Sequence, residues 1–473
     1  MQEQKFDLIV LGSGPGGEKG AAQAAYFGKK VAIVELHDRC GGAGTNTGTL
    51  PSKTLRETSL TLSGLRARSL YGVDLSIRRQ ATVSDFLYRE KLVKDADQQR
   101  VRTNIEQHGI SLFHGFGRFL DSNTIEVLNK DKKVTAVLSA PTILIATGSS
   151  PHRPPGYDFD HPAIYDSDEI LELGFMPKSM VVVGAGVIGC EYACTFAALG
   201  IEVTLVDGKD RLLDFLDVEV SNTLAAAMTD LGVNIRSGRR VLACRPLEQG
   251  QIQMELDNQE SVFCESVLVS SGRNGNSKGL ELEKAGISAN SRGCIEVNDK
   301  YQTKVSHIYA VGDVIGFPAL ASTSMEQGRV AMVHAFDLSY KTKLASILPY
   351  GIYSIPEVSM TGETEESLKS KGIDYVAGRA YYNKNSRGII IGDQRGFLKL
   401  LFLRENMQLV GVHILGEQAS ELVHIGLMAM QMNANVHLFI EACFNYPTLG
   451  DLYKYASYDA LQNRNKKYSS DLQ

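Results

Sequence analysis

Apolar runs of strand length alternate with small-residue stretches along the first half of the chain. DLIVLG ends in the glycine-rich GSGPGG, GAAQAAYFG continues with helix-forming small residues, and KKVAIVE adds a second apolar run closing on Glu35. The same succession returns as MVVVGAGVIG, EYACTFAALG and IEVTLVD, closing on Asp207. Strand, turn, helix, strand and acid thus occur twice, and the interval from Gly12 to Glu35 equals that from Gly184 to Asp207. Apolar strands also run into glycine at PTILIATGS, around Thr147 and Gly148, and at SVLVSSGRNGN, around Gly272. The doubled strand, turn, helix and strand succession predicts an α/β fold with two Rossmann-like domains.

The glycine spacings say what these domains hold. Gly12-x-Gly14-x-x-Gly17 and Gly184-x-Gly186-x-x-Gly189 each follow a strand and open a helix. In such a turn the first glycine permits the tight bend and the second lets a pyrophosphate approach the backbone. The third lets helix pack on strand, and the acid reaches the ribose hydroxyls. One such spacing is weak evidence, but two copies in full context imply two dinucleotides.

Between Glu35 and the next strand lies CGGAGTNTGTLPSKTLRET, read as a glycine-rich loop leading into a helix whose start is marked by Pro51 and Ser52. Beyond residue 280, HIYAVGDVIGFPALASTSMEQGRVA predicts a short strand, a turn at Gly312 and Asp313, and a small-residue helix. From PYGIYSIPEVSMTG onward, alternating strands such as GFLKLLFL and LVGVHIL give way to amphipathic helices as far as about residue 463, which reads as an α+β domain. The final NRNKKYSSDLQ is polar and is expected to fray.

Composition narrows the options. The chain has 473 residues, a net charge of -5 and no long run of either sign, so nucleic acid is not an expected partner. No apolar stretch is long enough to span a membrane, and the opening residues lack the pattern of a secretory signal. The 7 cysteines are scattered and odd in number, as in a reducing compartment, and the cytoplasm is expected. There is no HExxH, paired Cys/His spacing, GxSxG or Walker loop, so neither a metal site nor a hydrolase is expected.

In order along the chain, GSGPGG with Glu35, the GG…GTLPSK loop, the ATG strand, GAGVIGCE with Asp207, GRNGN, AVGDV, PEVSMTG and FNYPTLGDL resemble the flavoprotein disulfide reductases over nearly the whole sequence. The resemblance implies an FAD domain at 1–150, an NAD(P) domain at 151–277, a central domain at 278–345 completing the FAD site, and a dimerisation domain at 346–473. It implies an FAD site that includes Gly12, Gly14, Gly17, Glu35, Gly42, Gly44, Thr49, Gly312, Asp313 and Ala321, with Thr147 and Gly148 serving the region between the two nucleotide sites. The nicotinamide nucleotide would meet Gly184, Gly186, Gly189, Asp207 and Gly272. Glu35 would bind the adenosine ribose of FAD and Asp313 the ribitol, although Asp313 could instead cap the following helix. Lys53 and Glu191 match a pair that stands beside the flavin in this family and are the candidate catalytic residues, the alternative for Lys53 being a solvated side chain on the helix's first turn. Lys209 and Arg211 could neutralise the 2′-phosphate of NADP, or GKDR could be no more than a solvated turn.

The family's two redox cysteines fall at Gly44 and Thr49, neither of which carries sulfur, and Cys40 has no matching partner in the loop. The family's catalytic His-Pro-Thr reads Tyr446-Pro447-Thr448, with Asp451 at a position usually held by Glu. Tyrosine, with a reference pKa of about 10, is a poor base at neutral pH. Without a disulfide to receive them, electrons can leave a flavin only to a second nicotinamide, a quinone, a dye or dioxygen. The GT-x-PSK and FNYPT motifs are similar to those of soluble pyridine nucleotide transhydrogenases, although Gly44 stands where those proteins keep one cysteine. The resemblance therefore implies an FAD-dependent exchange, NADPH and NAD+ giving NADP+ and NADH, in a homodimer with Tyr446 near the partner's flavin. An NAD(P)H:quinone or diaphorase-type reductase, and a catalytically silent flavin-binding subunit, remain the alternatives.

Overall fold

The computed structural model describes residues 2–64, 82–248 and 250–470. Its first layer is a parallel sheet built from Leu8–Leu11 (β1), Val31–Glu35 (β2), Ser111–His114 (β3) and Thr142–Ile145 (β4), with Pro15–Tyr26 (α1) crossing from β1 to β2. The four residues of β1 are all buried, which is why the run lacks polar alternation. Between β2 and β3 lie the helices Gly42–Asn46 (α2), Thr49–Leu62 (α3) and Val83–Gln107 (α4).

The segment before α3 departs from the expected loop, because its glycines carry a short helix. Gly41 has a φ of 101°, and Asn46 Nδ2 donates to the carbonyls of Cys40 and Gly42, closing that turn. Helix α3 then starts at Thr49, two residues earlier than Pro51 and Ser52 suggest. Pro51 sits in its first turn, where a missing N–H costs nothing.

A second parallel sheet is made from Ile164–Asp166 (β5), Ser179–Val183 (β6), Glu202–Asp207 (β7), Val233–Ser237 (β8) and Ser266–Val269 (β9). Helix Val187–Ala198 (α5) joins β6 to β7, and Val218–Asp230 (α6) joins β7 to β8. Both sheets place the glycine-ending strand beside the first strand, giving the orders 4-1-2-3 and 9-6-7-8. The outer strand differs in origin. In the second sheet it is β5, just ahead of the repeat, whereas Ile308–Ala310 (β10), far downstream, closes the first sheet by pairing with β4. Helix Ala321–Ala335 (α7) then lies on α1 so closely that a Cβ on Gly328 would stand 2.3 Å from Gly16 O. Residues 278–345 therefore pack into the first domain, with Leu280, Ile295 and Val314 sharing its core with Ile9 and Leu138.

The C-terminal part is an antiparallel sheet of Pro349–Ile352 (β11), Val358–Gly362 (β12), Tyr375–Tyr381 (β13), Phe397–Leu403 (β14) and Leu409–Leu415 (β15), covered by Ala419–Gln431 (α8) and Leu452–Ser470 (α9). Helix α9 runs past residue 463 instead of fraying there, because Asn463 donates to Ala377 O on β13 and Arg464 donates to Glu405 O. Asp471–Gln473, the end of that expected tail, lie outside the described residues.

A buried charge cluster ties this sheet to the second domain. Lys399 on β14 is 1% exposed, and its Nζ lies 2.9 Å from Asp217 Oδ1, 2.9 Å from Glu219 and 2.5 Å from Glu365. Asp217 also caps α6 through the Glu219 N–H, and Arg379 on β13 holds Glu219 through Nε and Nη2, one edge of its guanidinium. Burial opposes the charge on Asp217, yet His413 and Lys399 outweigh it and hold the carboxyl below its ordinary pKa.

Candidate active site

The two glycine turns are alike down to single atoms. A Cβ on Gly12 would meet Ala146 O at 2.5 Å, and one on Gly184 would meet Ser270 O at 2.6 Å. A Cβ on Gly17 would stand 2.0 Å from Gly12 O, and one on Gly189 only 1.8 Å from Gly184 O. These contacts seat the helix on its strand and leave no room for a side chain. Neither α1 nor α5 has a side-chain cap, so their N-terminal N–H groups remain available to an anionic ligand.

The acids are held alike as well. Glu35 Oε2 accepts from Ser13 N at 2.8 Å, and Asp207 Oδ2 accepts from Ala185 N at 2.5 Å. Ser13, missed by the sequence reading, adds a bond of its own to Glu35 Oε2 at 2.6 Å and accepts from Gly41 N at 3.0 Å. It thereby fastens the α2 segment to the first turn. Its only sequence signal was a hydroxyl at the variable position after Gly12.

Around the first turn the remaining candidates converge. Gly42 lies over Gly14, where a Cβ would come within 2.8 Å of Gly14 Cα, and Gly44 packs on Pro15. Thr49 is exposed at the start of α3. Ser149 Oγ donates to Asp313 Oδ2 at 2.7 Å, and Gly312 N donates to Gln327 Oε1 at 2.8 Å. Ala321 opens α7, which also has no side-chain cap. Thr147 Oγ1 is buried with no partner among the described residues, and Asn276 N donates to Gly148 O at 2.9 Å. Ser149–Pro151 pairs with Arg273–Gly275, so the segments after Gly148 and Gly272 bridge the domains directly. The uncapped α1, the close Gly14–Gly42 approach and the orphaned Thr147 hydroxyl suit a long phosphate-containing group with polar atoms at its centre. The residues present therefore fit FAD.

The domains meet at Glu191. Lys53 Nζ on α3 lies 2.9 and 2.7 Å from its two oxygens, and Tyr353 N donates to Glu191 Oε1 at 2.9 Å. Lys53 Nζ also sits 5.0 Å from the centre of the Tyr353 ring. First domain, second domain and C-terminal domain thus converge on one buried carboxylate, and Tyr353 is a member that no motif announced. The loop's thiol is poorly suited to redox work, since burial pushes Cys40 above its ordinary pKa. All 7 cysteines, each among the described residues, are unpaired.

Two groups of candidates sit apart. Lys209 Nζ pairs with Asp214 at 2.8 Å and Arg211 Nη2 donates to Asp214 O at 2.6 Å, so both cations serve their own turn. Tyr446 is 76% exposed in this protomer, its hydroxyl 2.5 Å from Ser386 Oγ. Among the described residues, no group of three or more His, Cys, Asp or Glu could hold a metal ion, and no helix is long and apolar enough to cross a membrane.

Two nucleotide turns joined through a shared ion pair and followed by an antiparallel sheet define a class. Residues 6–328 match the family described as pyridine nucleotide-disulphide oxidoreductase, and residues 348–457 match that family's dimerisation domain. The chain belongs to this family, which uses FAD. Within it, the chain is 46% identical over 458 residues to the soluble pyridine nucleotide transhydrogenase of Mycobacterium tuberculosis, covering 97% of each chain. It is 40% identical over 465 residues to the protein of that name from Yersinia enterocolitica, covering 97% of this chain and 99% of the other. In fold it is similar to LpdA from Mycobacterium tuberculosis, with a TM-score of 0.87 at 24% identity, covering 96% of this chain and 99% of that one. The flavoprotein disulfide reductase RclA from Escherichia coli gives the same values.

Proposed function

We propose that this chain is an FAD-dependent soluble NAD(P)+ transhydrogenase, exchanging NADPH and NAD+ for NADP+ and NADH. One observation carries the proposal: both nucleotide turns and the Lys53–Glu191 junction are intact, while Gly44 and Thr49 stand where the related reductases keep their redox sulfurs. The names of the relatives at 39 to 46% identity support it.

Glu35, Gly12, Gly14, Thr147, Asp313 and the N-terminus of α7 would hold FAD, whose ring, when bound, takes up a hydride from one nicotinamide and yields it to another. Gly184, Gly186, Gly189 and Asp207 would seat the exchanging nucleotide. Lys53 would keep a positive charge at the junction, with Glu191 fixing its direction and Tyr353 fixing Glu191. None of these groups needs to attack substrate or move a proton. A nucleotide docked across the junction would exclude water from the Lys53–Glu191 pair and strengthen its field.

The same proposal includes a homodimer in the cytoplasm. The C-terminal domain exposes the apolar side chains of Ile389, Ile390, Met428, Met432 and Leu438, which a second copy would cover. The partner subunit's Tyr446 would then close the flavin site. The direct test is NADPH-driven reduction of thio-NAD+ by the purified holoenzyme, followed by the absorbance of thio-NADH. Rapid quinone reduction with no thio-NADH formed would refute the proposal.

A further inference from the structure

The exchange reading requires the second domain to accept NADP as well as NAD, and so a cation beside Asp207 for the 2′-phosphate. Lys209 and Arg211 are the cations nearest in sequence, but both are held by Asp214. The strand pairing brings a second loop to the same place. Asp207 on β7 is in register with Ser237 on β8, Gly238 N donates to Lys209 O at 2.8 Å, and Arg239 N donates to Asp207 O at 2.9 Å. The turns 207–210 and 237–240 are thereby zipped into one rim.

The cations of the second turn are not equivalent. Arg236 pairs with Glu260 at 3.1 Å, and Arg239 Nη1 folds back on Gly238 O. Arg240 is exposed, and its side chain lies over Gly208: a Cβ there would stand 3.3 Å from Arg240 Cγ and 3.4 Å from Nε. Among the described residues no acid or acceptor holds its guanidinium, while its carbonyl is fixed by Asp257 N at 2.9 Å. Asp207 already accepts from Ala185 N and Lys209 N, so its carboxylate suits a ribose hydroxyl and would repel a phosphate.

Resting on the exchange reading, we infer that Arg240, reaching across from the β8 turn, is the residue that recognises the 2′-phosphate of NADP(H). Its planar fork offers paired donors to a phosphate, and the bare backbone of Gly208 lets the stem lie against the residue next to Asp207. Asp207 and Arg240 then divide the work, the carboxylate serving a free 2′-hydroxyl and the guanidinium a 2′-phosphate. One rim accepts both nucleotides.

The test is calorimetric binding of 2′,5′-ADP and 5′-AMP to the FAD-loaded enzyme, wild type against Arg240→Gln and Lys209→Gln, with flavin content and melting temperature checked for each. Arg240→Gln should weaken 2′,5′-ADP about 10- to 100-fold, the range for losing a hydrogen bond to a charged group, while 5′-AMP changes less than about twofold. Arg240→Lys should recover part of the loss, because charge returns without the fork. Unchanged 2′,5′-ADP binding in Arg240→Gln, an equal loss of both ligands, or a loss confined to Lys209→Gln would each overturn the assignment. A wild-type enzyme that discriminates the two ligands through Arg240 but forms no thio-NADH would remove the exchange reading and leave the phosphate contact standing.

Discussion

The two nucleotide turns share one backbone design and differ in what lies over them. Over the first, Gly42 approaches Gly14, Ser13 ties Gly41 to Glu35, and α7 packs on α1. Over the second, a Cβ on Gly186 would meet nothing within 4 Å, and Asp207 is only partly buried where Glu35 is buried. A roofed turn suits a group that stays, and an open one suits a group that must leave on every cycle. The covering elements are the main difference between the two halves, because the glycines and acid are nearly the same in both.

The largest effects on nucleotide binding should come from filling the matched third glycines. Gly17→Ala and Gly189→Ala each drive a Cβ into a carbonyl about as hard, at 2.0 and 1.8 Å. Overpacking of this kind costs about 1–3 kcal/mol, which, if it falls on binding, corresponds to weakening of about 5- to 150-fold. The first variant should purify with little flavin absorbance. The second should stay yellow yet need far more NADPH to bleach anaerobically. Equal flavin loss in both would break the comparison.

On stability, the largest effect should come from the Lys399 cluster that fixes the open half to the C-terminal sheet. Lys399→Met leaves the buried Asp217 without its ion-pair partner, while Glu219 and Glu365 keep Arg379, and should cost about 3–5 kcal/mol, read as a lower midpoint in urea. For all three acids burial opposes the charge, but their cationic partners outweigh it and hold the carboxyls below the ordinary range. The stability they contribute is therefore complete above the unfolded carboxyl pKa near 4 and is lost as pH falls through the lower folded values. The gap between wild type and variant should accordingly narrow below about pH 4. A gap that widens there would exclude the ionised cluster as its source.

A smaller effect is expected at the junction between the halves. Glu191→Gln keeps the shape but removes the charge that faces Lys53. Anaerobic flavin reduction by NADPH should slow about tenfold, with flavin content unchanged, as befits loss of a charge-assisted bond. A normal bleaching rate would show that the pair only joins domains. Least of all is expected from Lys209→Ala, whose pair with Asp214 is exposed on both sides. It should change stability by no more than about 1 kcal/mol, so the melting temperature barely moves.

Much of this is legible in the amino-acid sequence. The duplicated glycines and acids announced two nucleotide turns because phosphate approach and helix packing demand glycine at fixed intervals. Lys53 and Glu191 were found only through family resemblance, since they lie 138 positions apart. Ser13 and Tyr353 escaped notice, one acting through a hydroxyl at a variable position and the other through its backbone N–H. The short helix α2 was read as loop because its turn is closed by the Asn46 amide, whereas helical signals in sequence come from apolar periodicity.

The sequence by itself determined the two nucleotide turns, their order along the chain, and the lack of sulfur at positions 44 and 49, because each is a local property of residue type and spacing. Tertiary structure alone decided that β10 closes the first sheet from beyond the inserted domain, that Lys399 joins Asp217 in the interior, and that Arg240 lies over Gly208, the residue after Asp207, while Lys209 and Arg211 are held by Asp214. These are pairings between distant segments. They are chosen by which strands lie in register and which charges find partners once water is excluded, and no local pattern in a sequence records that.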